Sequence, residues 1–194
     1  RQVSKGLTID LPMKNDRELY YRYRDQFNFL VDQGRAESIE AAELFYYLNR
    51  TGYNGLCRFN KTGRFNVPFG RYKKINYQRD FTAYKPLFAN WRFENVDFEN
   101  LCLKAGDFVY ADPPYDVQFT SYNAGGFTWE DQVRLAHWIA THPGTVILSS
   151  QATDRIIDLY QSLGFALQFF DAPRLISCKG DRSPAREVLA CRNI

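Results

Sequence analysis

The sequence has few histidines, cysteines and methionines, and it contains no long apolar run. It has only two histidines, one methionine, and four cysteines without a CxxC pair, namely Cys57, Cys102, Cys178 and Cys191. This pattern argues against a zinc site and favours reduced thiols in an intracellular, cytoplasmic protein. No apolar stretch approaches the roughly 20 residues needed to cross a bilayer, and no signal-peptide pattern is visible.

The overall composition is that of an ordinary globular chain. Of 194 residues, 45% are hydrophobic and 24% are charged, which excludes a disordered or fibrous protein. This length is enough for one substantial domain, or for one core with a smaller lobe.

Acidic residues are absent from a long stretch in the first half of the chain. Between Glu43 and Asp80 there are eight basic residues and no acidic one, although the whole chain has a net charge of only +3. Charge segregated in this way indicates a surface for a polyanion. The alternative is a solvated loop with exposed lysines and arginines.

The first half of the sequence predicts two helices followed by loops. Apolar spacing predicts helices over 16–31 and 38–49, with Asp16 and Ser38 as N-caps and with Gly34 ending the first helix. Residues 50–79 are rich in glycine and asparagine, which indicates loops with a hairpin around Lys61–Gly63.

The second half predicts alternating strands and helices. The predicted strands are a buried one at Phe108–Ala111 and others at 145–148, 165–170 and 188–191. A capping box at Thr128 predicts the start of one helix. A second helix is expected over 154–163, closed by Gly164. This alternation predicts an α/β sheet of mainly parallel strands, in which the last two strands can pair antiparallel. We therefore expect a basic, helical lobe over 10–79 and part of an α/β core over 80–194.

The tetrapeptide Asp112-Pro113-Pro114-Tyr115 follows a predicted strand, at the sheet edge where open α/β proteins bind ligands. The exocyclic amine of a nucleobase is a poor nucleophile, because its lone pair is delocalised into the ring. Two acceptors aimed at its hydrogens favour a pyramidal nitrogen, and the Asp112 carboxylate and the Pro113 carbonyl can supply them. Consecutive prolines stiffen the turn and remove amide donors. The tyrosine offers a face on which a flipped base can stack.

This motif therefore favours methylation of an amine by a sulfonium donor, through orientation and electrostatic preorganisation. The proton then leaves to Asp112 or to water. The alternative interpretation is that Asp-Pro-Pro only ends a strand and that Tyr115 is an ordinary packing residue.

Several longer stretches resemble the Dam-type DNA adenine-N6 methyltransferases, also called the D12 class. They are YYRYRDQFN (20–28), YLNRTGYNGLCRFN (47–60), FNVPFGRYKK (65–74), ADPPY (111–115), FTWEDQ (127–132) and RLISCKG with REVLACRN (174–193). The resemblance implies an S-adenosylmethionine-dependent, Rossmann-like methyltransferase core with a helical and loop-rich DNA target-recognition lobe. It also implies double-stranded DNA as substrate, with a GATC-like site.

The resemblance also implies roles for individual residues. Asp112, Pro113, Pro114 and Tyr115 match the catalytic motif, and Asp112 also approaches the methionine end of the cofactor. Arg58 matches an arginine that reads guanine, the base that a guanidinium fork fits best. The other implied base contacts are Tyr53, Asn54, Leu56 and Pro68. The implied phosphate contacts, which position the duplex without reading sequence, are Arg24, Arg50, Asn60, Asn66, Arg71 and Lys73.

One part of the family pattern is not found. The glycine-rich cofactor loop that precedes the recognition lobe has no counterpart before Tyr20, and the chain begins with Arg1. We therefore expect an incomplete core that is the C-terminal portion of a longer enzyme. Two alternatives stay open: a sequence-specific DNA-binding module without activity, and an enzyme that methylates RNA or a protein glutamine amide.

Overall fold

The computed structural model describes residues 8–116, 127–172 and 184–194. The chain divides into two compact units, Arg1–Glu94 and Asn95–Ile194. Cys178 and the stretch 174–180 lie outside the described residues. The helices and strands of the first unit are α1 (Arg17–Asp32), α2 (Ile39–Thr51) and α3 (Lys85–Phe88). Those of the second are β1 (Val109–Ala111), α4 (Trp129–Ala140), β2 (Val146–Gln151), α5 (Asp154–Ser162), β3 (Ala166–Ala172) and β4 (Ala185–Arg192).

Side-chain caps begin the two long helices of the first unit, as predicted. The Asp16 carboxylate accepts a hydrogen bond from the Leu19 amide at 2.8 Å, and the Ser38 hydroxyl accepts one from the Ala41 amide at 3.1 Å. Each satisfies an amide that the first helical turn would otherwise leave unpaired. Helix α2 runs two residues beyond the prediction and ends at Gly52.

Buried side chains of α1 hold the loop-rich segment that follows α2. Asn28 donates to the Phe65 carbonyl at 3.0 Å and accepts from the Phe65 amide at 2.7 Å, and the buried Tyr20 hydroxyl donates to the Val67 carbonyl at 2.9 Å. The predicted hairpin is confirmed, because the Asn60 amide donates to the Arg64 carbonyl at 2.9 Å. The turn-rich sequence is thus fixed by helix side chains where a sheet would use neighbouring strands.

The sheet of the second unit has the order β1-β2-β4-β3. Only β1 and β2 pair in parallel, whereas β4 pairs antiparallel with both β2 and β3. The prediction of mainly parallel strands is therefore wrong for these four strands, while antiparallel pairing of the last two is confirmed. The crossover through α5 brings β3 into the same direction as β2 but leaves a gap between them. Strand β4 fills this gap by running against both neighbours.

Strand β1 is more exposed than the sequence predicts. Its residue Tyr110 is 56% exposed, and Phe108, just before it, is 61% exposed. The prediction of a buried strand is wrong here because, among the described strands, β1 is at the edge of the sheet and pairs with β2 alone. Strand β4, in the middle, is longer than predicted because it pairs on both sides.

The remaining predicted signals of the second unit are confirmed. Thr128 and Asp131 form a capping box at the start of α4, and Gly164 has a φ of +79° just after α5. The unit has its own apolar core between helices and sheet, formed by fully buried residues such as Ile139, Leu148 and Val188.

Candidate active site and nucleic-acid interface

The carboxylate of Asp112 is held at the end of β1 by the neighbouring strand. Ser149, on β2, is only 3% exposed and donates to Asp112 Oδ1 at 2.7 Å. The Tyr110 hydroxyl in turn donates to the Ser149 hydroxyl at 3.1 Å. The parallel pairing of β1 with β2 makes this contact possible. Asp112 itself is exposed, and in the described part of the chain the hydrogen bond from Ser149 is to one of its two carboxylate oxygens, Oδ1.

The two prolines differ in what their carbonyls do. The Pro114 carbonyl accepts a hydrogen bond at 2.6 Å from the side-chain amide of Gln132, which is 2% exposed on α4. No donor to the Pro113 carbonyl occurs in the part of the chain that the structure describes. Because proline has no amide hydrogen, neither residue competes for acceptors nearby. The turn is therefore anchored through Pro114. The Pro113 carbonyl keeps its capacity to accept a hydrogen bond, although the residue as a whole is buried.

Tyr115 is oriented by β4. Its hydroxyl donates to Glu187 Oε2 at 3.1 Å. Burial, followed by the negative charges of Glu187 and Asp112, raises the pKa of Tyr115 to about 12. The phenol therefore stays protonated at neutral pH and keeps donating, which fixes the direction of its ring.

The whole arrangement can bind and orient a planar amine. It presents the Asp112 carboxylate, the Pro113 carbonyl and the Tyr115 ring within four consecutive residues, and β2, α4 and β4 hold this stretch at Asp112, Pro114 and Tyr115. Such preorganised acceptors lower the cost of placing a reacting group.

In the first unit, two loops carry the residues expected to contact bases, and the structure brings these loops together. The Tyr53 amide donates to the Pro68 carbonyl at 2.9 Å, and the Tyr72 hydroxyl donates to the Gly52 carbonyl at 2.8 Å. The Tyr53 ring is 47% exposed. The next residue, Asn54, has a φ of 53° and turns the chain directly after Tyr53.

Arg58 is held in a defined direction by Asn66. Its Nε donates to Asn66 Oδ1 at 2.7 Å and its Nη2 donates to the Asn66 carbonyl at 3.1 Å. Both contacts use one edge of the guanidinium, so the other edge can donate outward. Leu56, two residues earlier, is partly buried against the core of this unit.

The residues expected to contact phosphate have varied surroundings. Arg24 is half-buried, donates to the Val67 carbonyl at 3.3 Å and lies over the Tyr21 ring at 4.7 Å. The Asn60 side chain instead stabilises its own turn, accepting from the Thr62 amide and hydroxyl and from the Arg64 amide. Exposed side chains, free to meet solvent, belong to Arg50, Arg71 and Lys73.

Three residues at the candidate active site escape sequence reasoning: Gln132, Ser149 and Glu187. Ser149 has a weak signal, because it is a polar residue directly after the apolar residues of the strand predicted at 145–148. Glu187 lies in one of the stretches that resemble the family but carries no chemical signal alone. Gln132 likewise lies in such a stretch, FTWEDQ (127–132), and carries no chemical signal alone, since its partner is a backbone carbonyl.

Among the described residues there is neither a metal-binding cluster nor a membrane-spanning helix. No group of three or more His, Cys, Asp or Glu side chains that could hold a metal ion occurs among them. None of the helices described is long and apolar enough to cross a membrane.

Comparisons with known proteins identify the family of the chain. The family model for D12 class N6 adenine-specific DNA methyltransferase matches residues 4–172. The chain is 37% identical over 179 residues to the retron Ec67 DNA adenine methylase of Escherichia coli, covering 88% of this chain and 61% of that protein. It is 36% identical over 187 residues to the type II methyltransferase M.MjaIII of Methanocaldococcus jannaschii, covering 90% of this chain and 63% of that protein.

A third relative is the DNA adenine methylase of Escherichia coli strain K12, which is 41% identical over 142 residues. That match covers 69% of this chain and 49% of the relative. The chain thus spans between about half and two thirds of the length of these curated relatives. Because the family model matches most of its residues, the chain belongs to the D12 class of N6 adenine-specific DNA methyltransferases.

Proposed function

We propose that the protein is a site-specific DNA adenine methyltransferase that transfers a methyl group from S-adenosylmethionine to N6 of a flipped adenine in a GATC-like site. The observation that carries this proposal is the Asp112 carboxylate, exposed at the end of β1 and fixed through one oxygen by Ser149. Reduced cysteines are consistent with a cytoplasmic enzyme.

In this reaction Asp112 and Pro113 bind the hydrogens of the adenine amine. The free carboxylate oxygen and the Pro113 carbonyl accept one hydrogen each, which directs the nitrogen lone pair toward the methyl donor. The N–CH3 bond forms as the S–CH3 bond breaks, and the proton left on nitrogen goes to Asp112 or to water. No prior deprotonation of the weakly acidic amine is needed.

S-adenosylmethionine supplies the electrophilic methyl group when it is bound. Among the described residues, the exposed Asp112 carboxylate fits an ammonium group such as that of the methionine end. Asp112 therefore contacts both reactants and holds them at one point.

Tyr115 stacks on the flipped base. Its ring direction is fixed by the hydrogen bond to Glu187, and a fixed ring loses little entropy when a base stacks on it. Stacking on an aromatic side chain is worth roughly 1–3 kcal/mol per base.

The first unit provides the DNA contacts. Arg58 reads a guanine with the guanidinium edge that Asn66 leaves free. Leu56 and Pro68 contact the outer base pair, and Tyr53 with Asn54 enters the stack near the flipped adenine. The duplex is positioned through its phosphates by Arg24, Arg50, Asn60, Asn66, Arg71 and Lys73. The lobe over 10–79 is thus the recognition part, and residues 80–194 contribute to the catalytic core.

The direct test uses the full-length protein, isotopically labelled S-adenosylmethionine and two duplexes that differ only in GATC against GTTC. After digestion, mass spectrometry should find N6-methyladenine in the GATC duplex alone. Binding of the duplex without any methyl transfer would replace this proposal with the inactive DNA-binding module. Transfer to RNA or to a glutamine amide in preference to the duplex would contradict the substrate.

A further inference from the structure

The residue after the catalytic motif, Asp116, is almost enclosed by other side chains. Its side chain is only 9% exposed. Arg155 donates to both of its carboxylate oxygens, through Nε and Nη2, and the Thr153 hydroxyl donates to Oδ2 at 3.2 Å. Paired, bidentate contacts of this kind are the strong class of charge-assisted hydrogen bond.

These partners belong to the start of α5. Thr153 is the N-cap residue of that helix, yet its hydroxyl makes no capping bond and binds Asp116 instead. Arg155 lies in the first turn. A carboxylate beside a helix N-terminus is also favoured by the helix dipole, so three separate interactions converge on this one side chain.

Arg155 connects the Asp116 carboxylate to a second helix as well. Its guanidinium carbon lies 4.4 Å from the centre of the Trp129 ring, at the first residue of α4. The same helix anchors the Pro114 carbonyl through Gln132. The motif is therefore fixed at Asp112 by β2, at Pro114 by α4, and just beyond Tyr115 by α5.

We propose that Arg155 and Asp116 act as positioning residues that hold the backbone of Asp112–Tyr115 in its reactive direction. This inference rests on the proposed function, because it concerns how the acceptors for the adenine amine are placed. Neither residue touches the reacting atoms. The shape of the guanidinium matters more than its charge. A lysine ammonium has three donors but cannot present two parallel N–H groups to the two carboxylate oxygens, and it has no flat face for Trp129.

The chain offers a matched control in the same unit. Arg134 also binds carboxylates, with its Nη1 2.9 Å from Asp97 Oδ1 and 2.7 Å from Glu99 Oε2, and lies 4.2 Å from the centre of the Phe98 ring. Its Nη2 also donates to Asp131 Oδ1 at 3.1 Å, within α4, but none of its contacts among the described residues is with Asp112–Asp116. Arg155→Lys and Arg134→Lys therefore each remove a guanidinium group that binds carboxylates and lies over an aromatic ring.

In single-turnover methylation by the full-length protein, Arg155→Lys should lower the rate of methyl transfer by about tenfold, because small misplacements are costly. Duplex affinity and KM should stay within about twofold, and Asp116→Asn combined with Arg155→Lys should be no slower than the worse single variant. Arg134→Lys should keep the wild-type rate. Equal rates for the two lysine variants, or additive losses in the double variant, would overturn the proposal.

Hydrogen exchange decides the same point without activity. Amides in peptides spanning residues 109–116 should exchange about fivefold faster in Arg155→Lys than in the wild type. In Arg134→Lys their exchange rate should equal that of the wild type. Unchanged exchange in Arg155→Lys would refute the positioning role. A wild-type protein that methylates no adenine refutes the proposed function alone, and this measurement then still tests the positioning.

Discussion

The ring and the hydroxyl of Tyr115 have separable contributions. Tyr115→Phe loses only the hydrogen bond to Glu187, a loss of about 0.5–1.5 kcal/mol, so single-turnover methylation should fall several-fold. Tyr115→Ala also loses the stacking face, worth roughly 1–3 kcal/mol, and should be much slower. Equal damage from the two substitutions would assign a chemical role to the hydroxyl and contradict the stacking role.

Arg58 and Lys73 both carry positive charge in the basic segment, which is the acid-free stretch 44–79, but we expect Arg58 to read a base and Lys73 to bind phosphate. Arg58→Ala should cost roughly 1–3 kcal/mol of discrimination at one base position and little on non-cognate duplexes. Lys73→Ala should weaken all duplexes alike and flatten the salt dependence by about one counterion. Titrations of cognate and single-substituted duplexes at several salt concentrations distinguish them. A uniform loss for Arg58→Ala would make this lobe a general DNA clamp.

At the scale of the elements, the position of the loop that carries Tyr53 depends on the close approach of the Gly70 backbone to the Gly52 backbone. A Cβ at Gly70 would lie 2.8 Å from the Gly52 carbonyl oxygen and 2.5 Å from the Tyr72 ring. Gly70→Ala should therefore destabilise the first unit by about 1–3 kcal/mol and weaken DNA binding. Gly106→Ala, which meets nothing within 4 Å, is the control for urea unfolding. Equal unfolding midpoints for both variants would show that this approach is not tight.

Helix α5 carries a tyrosine that makes folding sensitive to alkaline pH. Burial raises the pKa of Tyr160, which is 1% exposed, to about 12 from its usual 10.0. A raised pKa gives stability that is complete below pH 10 and is lost as the pH rises toward 12, by about 2–3 kcal/mol for this group. Tyr160→Phe should lose correspondingly less free energy of unfolding between pH 8 and 12.

The matched control for this pH dependence is Tyr77→Phe, at a side chain that is 40% exposed. Urea unfolding at several pH values compares the three proteins. If Tyr160→Phe and the wild type lose the same free energy over this range, another group controls alkaline unfolding.

The sequence predicts an element correctly when the interactions that determine it lie within a few residues of the chain. The caps at Asp16, Ser38 and Thr128 act within three residues, and all three were predictable. The insertion of β4 between β2 and β3 depends on pairing between distant strands, which no local pattern encodes. The exposure of β1 follows from that strand order and was equally out of reach.

The same reasoning applies to the candidate site. The acceptors Asp112 and Pro113 are visible because their chemistry is concentrated in adjacent residues. Ser149, Gln132 and Glu187 come from β2, α4 and β4, and only the folded chain places them against the motif. Sequence therefore identifies groups that meet the substrate more readily than groups that hold them.

For the molecule as a whole, we expect one part of the chain to perform chemistry at Asp112 while the first unit binds DNA. Asp112→Ala in the full-length protein removes the carboxylate and leaves the basic segment untouched. Methyl transfer to a GATC duplex should become undetectable, and the dissociation constant of the duplex should stay within about threefold, because phosphate contacts dominate affinity. Persistence of even about a tenth of the wild-type rate would contradict the role of Asp112, since loss of an acceptor at the reacting amine should cost about 100-fold or more.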